Sequence, residues 1–217
     1  MAENKSFLIP LTRAGFRVSW VDKIPEVDVN VDRDEAIARL MPYHVREAIE
    51  LCGQEELFWR CEQVHGNLTV PVSGEYDAER TQEADGIATN DPKVALGIHV
   101  ADCGALYLGD PVSRAVAVVH SGKVGTDKNI LGESVKVMTK EYGTSPADLI
   151  VSLAPCIRPP AYDVDFAATI REQARLVGVL DENYHDCGVC TTSDPDCYYS
   201  YRKELGKTGR MLALIAI

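Results

Sequence analysis

Three residues with metal-binding side chains lie far apart along the chain, at His65, Cys103 and His120. Each closes an apolar segment typical of a β-strand, and each is followed within two residues by glycine. Side chains at the ends of strands are positioned by a rigid scaffold and still meet solvent or substrate. Two imidazoles and one thiolate leave zinc an open fourth position, which is typical of a catalytic rather than a structural site. This set leads to the hypothesis of a catalytic zinc centre. Three unrelated residues, namely a turn histidine, a buried free cysteine and a hydrogen-bonded histidine, are the alternative.

Residues next to these three extend the candidate site. Asp102 directly precedes Cys103, and a carboxylate there would orient a histidine ligand or transfer a proton. We therefore take Asp102, Cys103 and His120 as the candidate catalytic residues. The glycine-bearing loop 121–127 follows His120 and leads into a helix, where backbone N–H groups favour an anion. Lys123 in this loop is a candidate anion contact, although a solvated lysine is equally compatible with the pattern.

The last part of the chain contributes aromatic and cationic residues in the segments 198–202 and 208–210. Aromatic rings together with Arg202 and Arg210 are suited to a flat ring and a phosphate, although a strand with surface arginines also fits. A second group has Cys-x-x-Cys spacing, and its metal binding stays an open question. Its members are His185, Cys187, Cys190 and Cys197.

The segments that must position these residues alternate between strand and helix patterns. Helices are expected at 32–41, 45–52, 127–142 and 166–177, with Pro42 ending the first. Strands are expected at 7–20, 58–65, 68–72, 87–89, 95–101, 105–108, 115–120, 150–153 and 211–217. Runs of strands with helices at intervals favour an α+β fold with layered sheets, formed by one domain over residues 1–217.

The composition narrows the class of protein. The net charge of −11 gives no basic surface for a phosphodiester backbone, so nucleic acid is not an expected partner. We find no apolar run long enough to cross a membrane and no signal peptide in residues 1–10. Seven cysteines without a secretion signal indicate reduced thiols. We therefore expect a cytoplasmic protein, either a monomer or a small homo-oligomer, that acts on a small molecule.

Several known metal-enzyme motifs are absent from the sequence. There is no H-E-x-x-H motif, and Pro155-Cys156 is not followed by the second cysteine of the cytidine-type deaminase signature. Five histidines are too few for a conventional multicopper oxidase, and no methionine is placed to complete a blue-copper site.

A set of short blocks nevertheless occurs in a familiar order. In that order and spacing, the chain resembles the YfiH-like laccase-domain family from about Phe58 to the C-terminus. The blocks are 63–66, 84–89, 101–103, 119–122, 154–157, 190–191, 199–202 and 208–210.

The resemblance implies a layered α/β/β/α sandwich of mixed sheets and a zinc ion bound by His65, Cys103 and His120. It also implies activity on purine nucleosides, by phosphorolysis or deamination of adenosine-type substrates, with a nucleoside and phosphate as partners. Gln63, in the first block, joins Lys123, Arg202 and Arg210 as a candidate substrate or anion contact. The family usually has Trp and Arg where this chain has Lys123 and Val124, so Lys123 would have to replace that arginine in binding phosphate.

Two other functions are compatible with the same residues. In the first, Cys103 is a nucleophile and His120 its base, which gives a metal-free hydrolase or deamidase. In the second, the chain is a catalytically silent module that binds zinc.

Overall fold

Two mixed β-sheets face each other at the centre of the computed structural model, which describes residues 3–217. The first sheet has the order β1-β10-β5-β2, and the second has the order β3-β4-β7-β6-β8-β9 once the strands are numbered along the chain. The strands are β1 (Arg17–Val21), β2 (Phe58–Arg60), β3 (Thr69–Pro71), β4 (Gly86–Thr89), β5 (Ala95–Val100), β6 (Gly104–Asp110), β7 (Ala115–Ser121), β8 (Ile150–Leu153), β9 (Tyr184–Asp186) and β10 (Met211–Ala216).

Helices pack around the two sheets. They are α1 (Ile9–Arg13), α2 (Arg33–Cys52), α3 (Lys123–Asp127), α4 (Ile130–Tyr142) and α5 (Phe166–Val177). Helix α2 packs on the first sheet, whereas α4 packs on the second sheet and against α5. The arrangement is an α/β/β/α sandwich, which confirms the fold predicted from the sequence. Among residues 3–217, no helix combines the length and apolar character that crossing a bilayer requires.

The central strands are buried on both faces because helices cover one side and the other sheet covers the second. Every residue of β5, β6, β7 and β10 is buried. This double burial explains why these segments read as continuous apolar runs rather than as alternating patterns. Large side chains fill the space around the layers, among them Trp20, Trp59 and Tyr107.

Helix α2 is continuous across Pro42, so the predicted division into two helices was wrong. Proline cannot donate to the carbonyl of Ala38, but both residues lie on the solvent side of the helix, where water can serve that carbonyl. The buried face continues through the proline at four-residue spacing, with Leu40, His44 and Ala48 packed on the first sheet. Packing of this face stabilises the helix more than the missing hydrogen bond destabilises it.

The N-terminal segment also differs from its prediction as a strand over 7–20. Short helical turns occupy Glu3–Leu8 and Ile9–Arg13, and only Arg17–Val21 is a strand. Phe7 and Leu11 are both buried, at the four-residue spacing of a helix, and the Phe7 ring packs edge-on against Trp20. In so short an apolar segment, periodicity alone does not distinguish a helix from a strand.

Candidate metal centre and substrate pocket

The three predicted ligands converge at one edge of the sandwich. Cys103 lies in the turn that links β5 of the first sheet to β6 of the second, and His120 is the penultimate residue of β7. His65 lies in the loop between β2 and β3, because β2 ends at Arg60 and not at residue 65 as predicted. Nitrogen and sulfur ligand atoms of the three residues all lie within 4.8 Å of one another. Zinc bonds of about 2.0–2.3 Å allow one ion to reach all three after small side-chain rotations.

Asp85 fixes the orientation of His120. Its carboxylate is fully buried at the start of β4 and accepts a hydrogen bond from Nδ1 of His120 at 2.7 Å. The same carboxylate accepts the backbone N–H groups of Val64, His65 and Gly66 at 2.6–3.2 Å. With Nδ1 bound to a carboxylate, Nε2 of His120 is free to bind a metal, which is the usual support for a histidine ligand. The donor set and this support both fit zinc.

The sequence reasoning did not single out Asp85, although the residue lies inside the block 84–89. Nothing local distinguishes its carboxylate from other acidic residues beside a strand, because its partners lie about 20 and 35 residues away along the chain.

Several residues around the centre have backbone angles that are uncommon for residues other than glycine. Gln63, His65 and Asp102 have φ values of 59°, 62° and 76°, in the left-handed region. The Gln63 amide is held by two hydrogen bonds to the backbone of His99, which stabilises this conformation. Strained backbone of this kind concentrates at functional sites and persists only where surrounding contacts enforce it.

Cys103 and His120 shift each other's pKa. Burial alone would raise the pKa of Cys103, but attraction to His120 and hydrogen bonds with both imidazoles lower it to about 6. Burial likewise opposes protonation of His120, but the Cys103 thiolate and Asp85 raise its pKa to about 9. At neutral pH the thiol is therefore largely ionised, which is the form that binds metals and acts as a nucleophile.

Gly122 provides the space that the thiolate occupies. A Cβ atom on this residue would lie 2.5 Å from Sγ of Cys103, closer than real Cβ contacts allow. The glycine after the predicted ligand His120 therefore has a steric role, and any side chain there would displace the thiolate.

The carboxylate that orients His120 is Asp85 and not Asp102. The Asp102 carboxylate accepts hydrogen bonds from the hydroxyls of Thr191 and Ser200 and from the backbone N–H of Arg202. These bonds tie two loops from the last part of the chain to the turn that carries Cys103. Asp102 still lines the substrate pocket described next.

A pocket of about 740 Å³ opens over the three ligand residues. All predicted substrate contacts line it, and Arg33 at the start of α2 adds a fourth cation that the sequence reasoning missed. The four cations are Arg33, Lys123, Arg202 and Arg210. None of them forms an ion pair with a carboxylate among residues 5–217, whose side chains the structure describes.

These unpaired cations are an unusual feature in a chain with a net charge of −11. Burial first, and then the neighbouring charge of Arg33, lower the pKa of Arg210, so the two guanidinium groups repel each other. An anion bound between them would relieve this repulsion. The pocket is therefore suited to an anionic ligand such as phosphate.

Apolar and aromatic side chains form much of the remaining wall. Ile157 and Phe166 are buried, whereas Tyr201 is 56% exposed. The guanidinium of Arg202 lies 5.1 Å from the centre of the Tyr162 ring, which also lines the pocket. Such a wall offers stacking surface for a flat heterocycle beside the cationic group.

The second cysteine group is not brought together as a metal site. In the part of the chain that the structure describes, only His65, Cys103 and His120 form a group of three or more side chains close enough to hold an ion. Cys187, Cys190 and Cys197 are free thiols.

Comparison with known protein families gives a match over most of the chain. The family described as multi-copper polyphenol oxidoreductase laccase matches residues 28–167 and 162–217. A protein of Bacillus subtilis named purine nucleoside phosphorylase YlmD is 33% identical in an alignment 162 residues long, which covers 61% of this chain and 58% of that protein. The chain thus spans less than two thirds of that relative's length. A purine nucleoside phosphorylase of Deinococcus radiodurans is 29% identical over 95% of this chain and 87% of its own length.

Solved structures share the fold. The structure of YlmD from Geobacillus stearothermophilus superposes with a TM-score of 0.76 at 23% identity, covering 94% of this chain and 92% of that one. The structure of the Bacillus licheniformis hypothetical protein YfiH gives a TM-score of 0.72 at 20% identity over 80% of both chains.

Proposed function

The chain belongs to the multi-copper polyphenol oxidoreductase laccase family, and from this premise we propose that it is a zinc-dependent enzyme that acts on purine nucleosides. The family match confirms the resemblance noted in the sequence. Phosphorolysis of adenosine-type nucleosides is the activity that the proposal places first, with deamination as a second reaction at the same site. The observation that carries it is the meeting, in one pocket, of a three-donor metal site and four unpaired cations.

His65, Cys103 and His120 would hold the zinc, with Asp85 supporting His120. Bound zinc supplies a Lewis acid that polarises an oxygen ligand at neutral pH. Zinc fits this site better than copper because, among the described residues, no methionine lines the pocket to supply the axial ligand of a blue-copper site.

The cations have a defined task in phosphorolysis. A phosphate oxygen forms a bond to C1′ of the ribose while the C1′–N9 bond breaks, and the bonding electrons leave with the purine, which takes up a proton. Lys123 and Arg202 are exposed at the pocket and Arg210 is half-buried, so all three can contact phosphate and hold it near the ribose. Stacking of the purine on the aromatic wall would fix its orientation. Lys123 would take the phosphate-binding role of the arginine that the family usually has at the position of Val124.

A metal-free hydrolase or deamidase is the second candidate. Cys103, His120 and Asp85 have the geometry of a nucleophile, a base and a residue that orients the base. In this alternative His65 orients the thiolate or only packs beside it. We also propose a cytoplasmic location, which is supported by seven cysteines that are all free thiols.

Elemental analysis of the purified protein tests the metal assignment first. We expect about one zinc per chain, and loss of both metal and activity in His65→Ala and His120→Ala. Normal zinc content in either variant contradicts the assignment of ligands. A protein without metal that loses activity on modification of one cysteine supports the hydrolase instead.

A nucleoside panel then tests the reaction, with ribose 1-phosphate, free base and ammonia as readouts. We expect Lys123→Gln and Arg202→Gln to raise the KM for phosphate about tenfold each, because a charge-assisted hydrogen bond contributes about 1.5–3 kcal/mol. Lys136→Gln is the matched control, since Lys136 is exposed and paired with Glu133 outside the pocket. Full zinc occupancy without any product would indicate a catalytically silent module.

A further inference from the structure

We propose that His99 recognises the purine base. In this inference, which rests on the proposed nucleoside function, its imidazole is held in one tautomer by His44 and presents a neutral N–H group to an unprotonated ring nitrogen of the substrate. Neither histidine belongs to the metal centre.

His99 lines the substrate pocket from strand β5 and is only 7% exposed. Its Nε2 lies 3.2 Å from Nδ1 of His44, which helix α2 inserts behind the strand, and the two ring centres are 5.1 Å apart. The backbone of His99 is fixed on both sides by the amide of Gln63. Since Nε2 is engaged by His44, Nδ1 is the ring nitrogen that His99 can offer to a ligand.

The position of the shared proton follows from the surroundings of His44. This residue is fully buried, and its Nε2 has no hydrogen-bond partner among the side chains that the structure describes, residues 5–217. If Nε2 of His99 were the donor in this hydrogen bond, Nδ1 of His44 would have to accept it. The single proton of the neutral His44 ring would then be on Nε2, where it would form a buried N–H group without an acceptor. Orphaned buried N–H groups are rarer than orphaned acceptors. His44 therefore donates from Nδ1, which leaves the proton of His99 on its own Nδ1.

Both rings are neutral at physiological pH. Burial lowers the pKa of His44 to about 4. Burial first, and then the charges of His44, Arg60, Arg210 and Arg33, lower the pKa of His99 well below its usual value. The nearby guanidinium groups bind a phosphate more strongly than an uncharged imidazole does.

The fixed tautomer indicates which neutral group is recognised. A ribose hydroxyl both donates and accepts, so it would bind either tautomer of His99. A purine ring nitrogen with a free lone pair only accepts, so it needs the donor that His44 enforces. The arrangement therefore favours the base over the sugar.

Steady-state kinetics with adenosine and its 1-deaza, 3-deaza and 7-deaza analogues test this inference. We expect the wild-type protein to show a KM about tenfold higher for one deaza analogue, the effect of one lost hydrogen bond. His99→Leu should raise the KM for adenosine by the same factor and abolish the discrimination between adenosine and that analogue. His99→Asn, which keeps an N–H donor near the position of Nδ1, should restore part of both.

Several outcomes would overturn it. The inference is wrong if folded His99→Leu has the same KM for adenosine as the wild-type protein. It is also wrong if the wild-type KM rises for 2′-deoxyadenosine and for none of the deaza analogues. His185→Leu is the matched control, because His185 is outside the pocket. Thermal unfolding and zinc content of each variant exclude a folding defect. Inactivity of the wild-type protein on every nucleoside would remove the proposed function together with this inference, whereas an active protein indifferent to His99→Leu removes this inference alone.

Nitrogen-15 NMR of histidine-labelled protein tests the tautomer directly. The ring signals of His99 and His44 are assigned from His99→Asn and His44→Leu, and each is expected to report a protonated Nδ1 and an unprotonated Nε2. A protonated Nε2 on His99 would refute the inference without bearing on the zinc centre.

Discussion

Asp85→Asn probes the group that supports the metal centre without changing its size. Each oxygen of the carboxylate accepts two N–H groups. One oxygen receives the backbone of His65 and the ring of His120, and the other receives the backbone of Val64 and Gly66. The amide of asparagine replaces one oxygen with an NH₂ group. Whichever way it is oriented, two buried donors will face another donor.

The expected loss of stability follows from these contacts. Each hydrogen bond to the buried charge contributes about 1.5–3 kcal/mol, so two lost bonds cost about 3–6 kcal/mol, close to the range of about 3–5 kcal/mol found when one partner of a buried pair is removed. The metal site weakens as well, because Nδ1 of His120 loses its carboxylate. Loss of such a supporting group lowers metal affinity about 10–100-fold.

Two assays measure these effects, namely urea denaturation of the metal-free protein and competition for zinc with a chelator. Asp110→Asn is the matched control, since Asp110 is equally buried and accepts hydrogen bonds from Val112 and Ser113 in a turn away from the centre. The control should keep its zinc affinity. The reasoning is refuted if Asp85→Asn binds zinc within twofold of the wild-type protein, or if Asp110→Asn loses the same affinity.

The difference in unfolding free energy between the wild type and Asp85→Asn should depend on pH in a defined direction. Burial alone would raise the pKa of Asp85, but the hydrogen bonds from His120 and the backbone lower it below its ordinary value. The stability that Asp85 contributes is therefore present above an unfolded pKa of about 3.9 and is lost as the pH falls through the folded value. The gap in unfolding free energy between the wild type and Asp85→Asn should narrow towards acid pH.

Two further predictions concern the thiolate. Gly122→Ala should lower zinc affinity about tenfold or more, because the new Cβ would lie 2.5 Å from Sγ of Cys103, and an unaltered affinity in chelator competition would contradict this. In the metal-free protein at pH 7, iodoacetamide should modify Cys103 before Cys187, because their pKa values are about 6 and about 11. Added zinc should protect Cys103, and mass spectrometry that finds Cys187 modified first would disprove the assignment.

The sequence predicted those elements whose pattern is local. The helix over 166–177 was predicted with its observed bounds. In the structure Asp165 caps its start and Gly178 ends it, so the residues that limit this helix are local. The strands β5, β6 and β7 were recognised near their true limits as short apolar runs. The candidate ligands were found because their residue types and the following glycines are visible in the sequence.

The sequence did not reveal residues whose role depends on distant partners. Asp85, Arg33 and His44 are ordinary residues in their local context, and each acquires its place in the site through contacts with segments 20 or more residues away. The same limit applies to Pro42. Local propensity predicts that a helix ends there, but the packing of the buried face of α2 keeps the helix continuous.

The types of side chain available for chemistry were thus determined by the sequence alone, as was the alternation of strands and helices. The tertiary structure decided which of those side chains share a pocket and which carboxylate supports His120. The physical reason is that hydrogen bonds to a buried charge and the pairing of two sheets depend on distances across the fold. Local propensity, which reflects only neighbours along the chain, does not contain those distances.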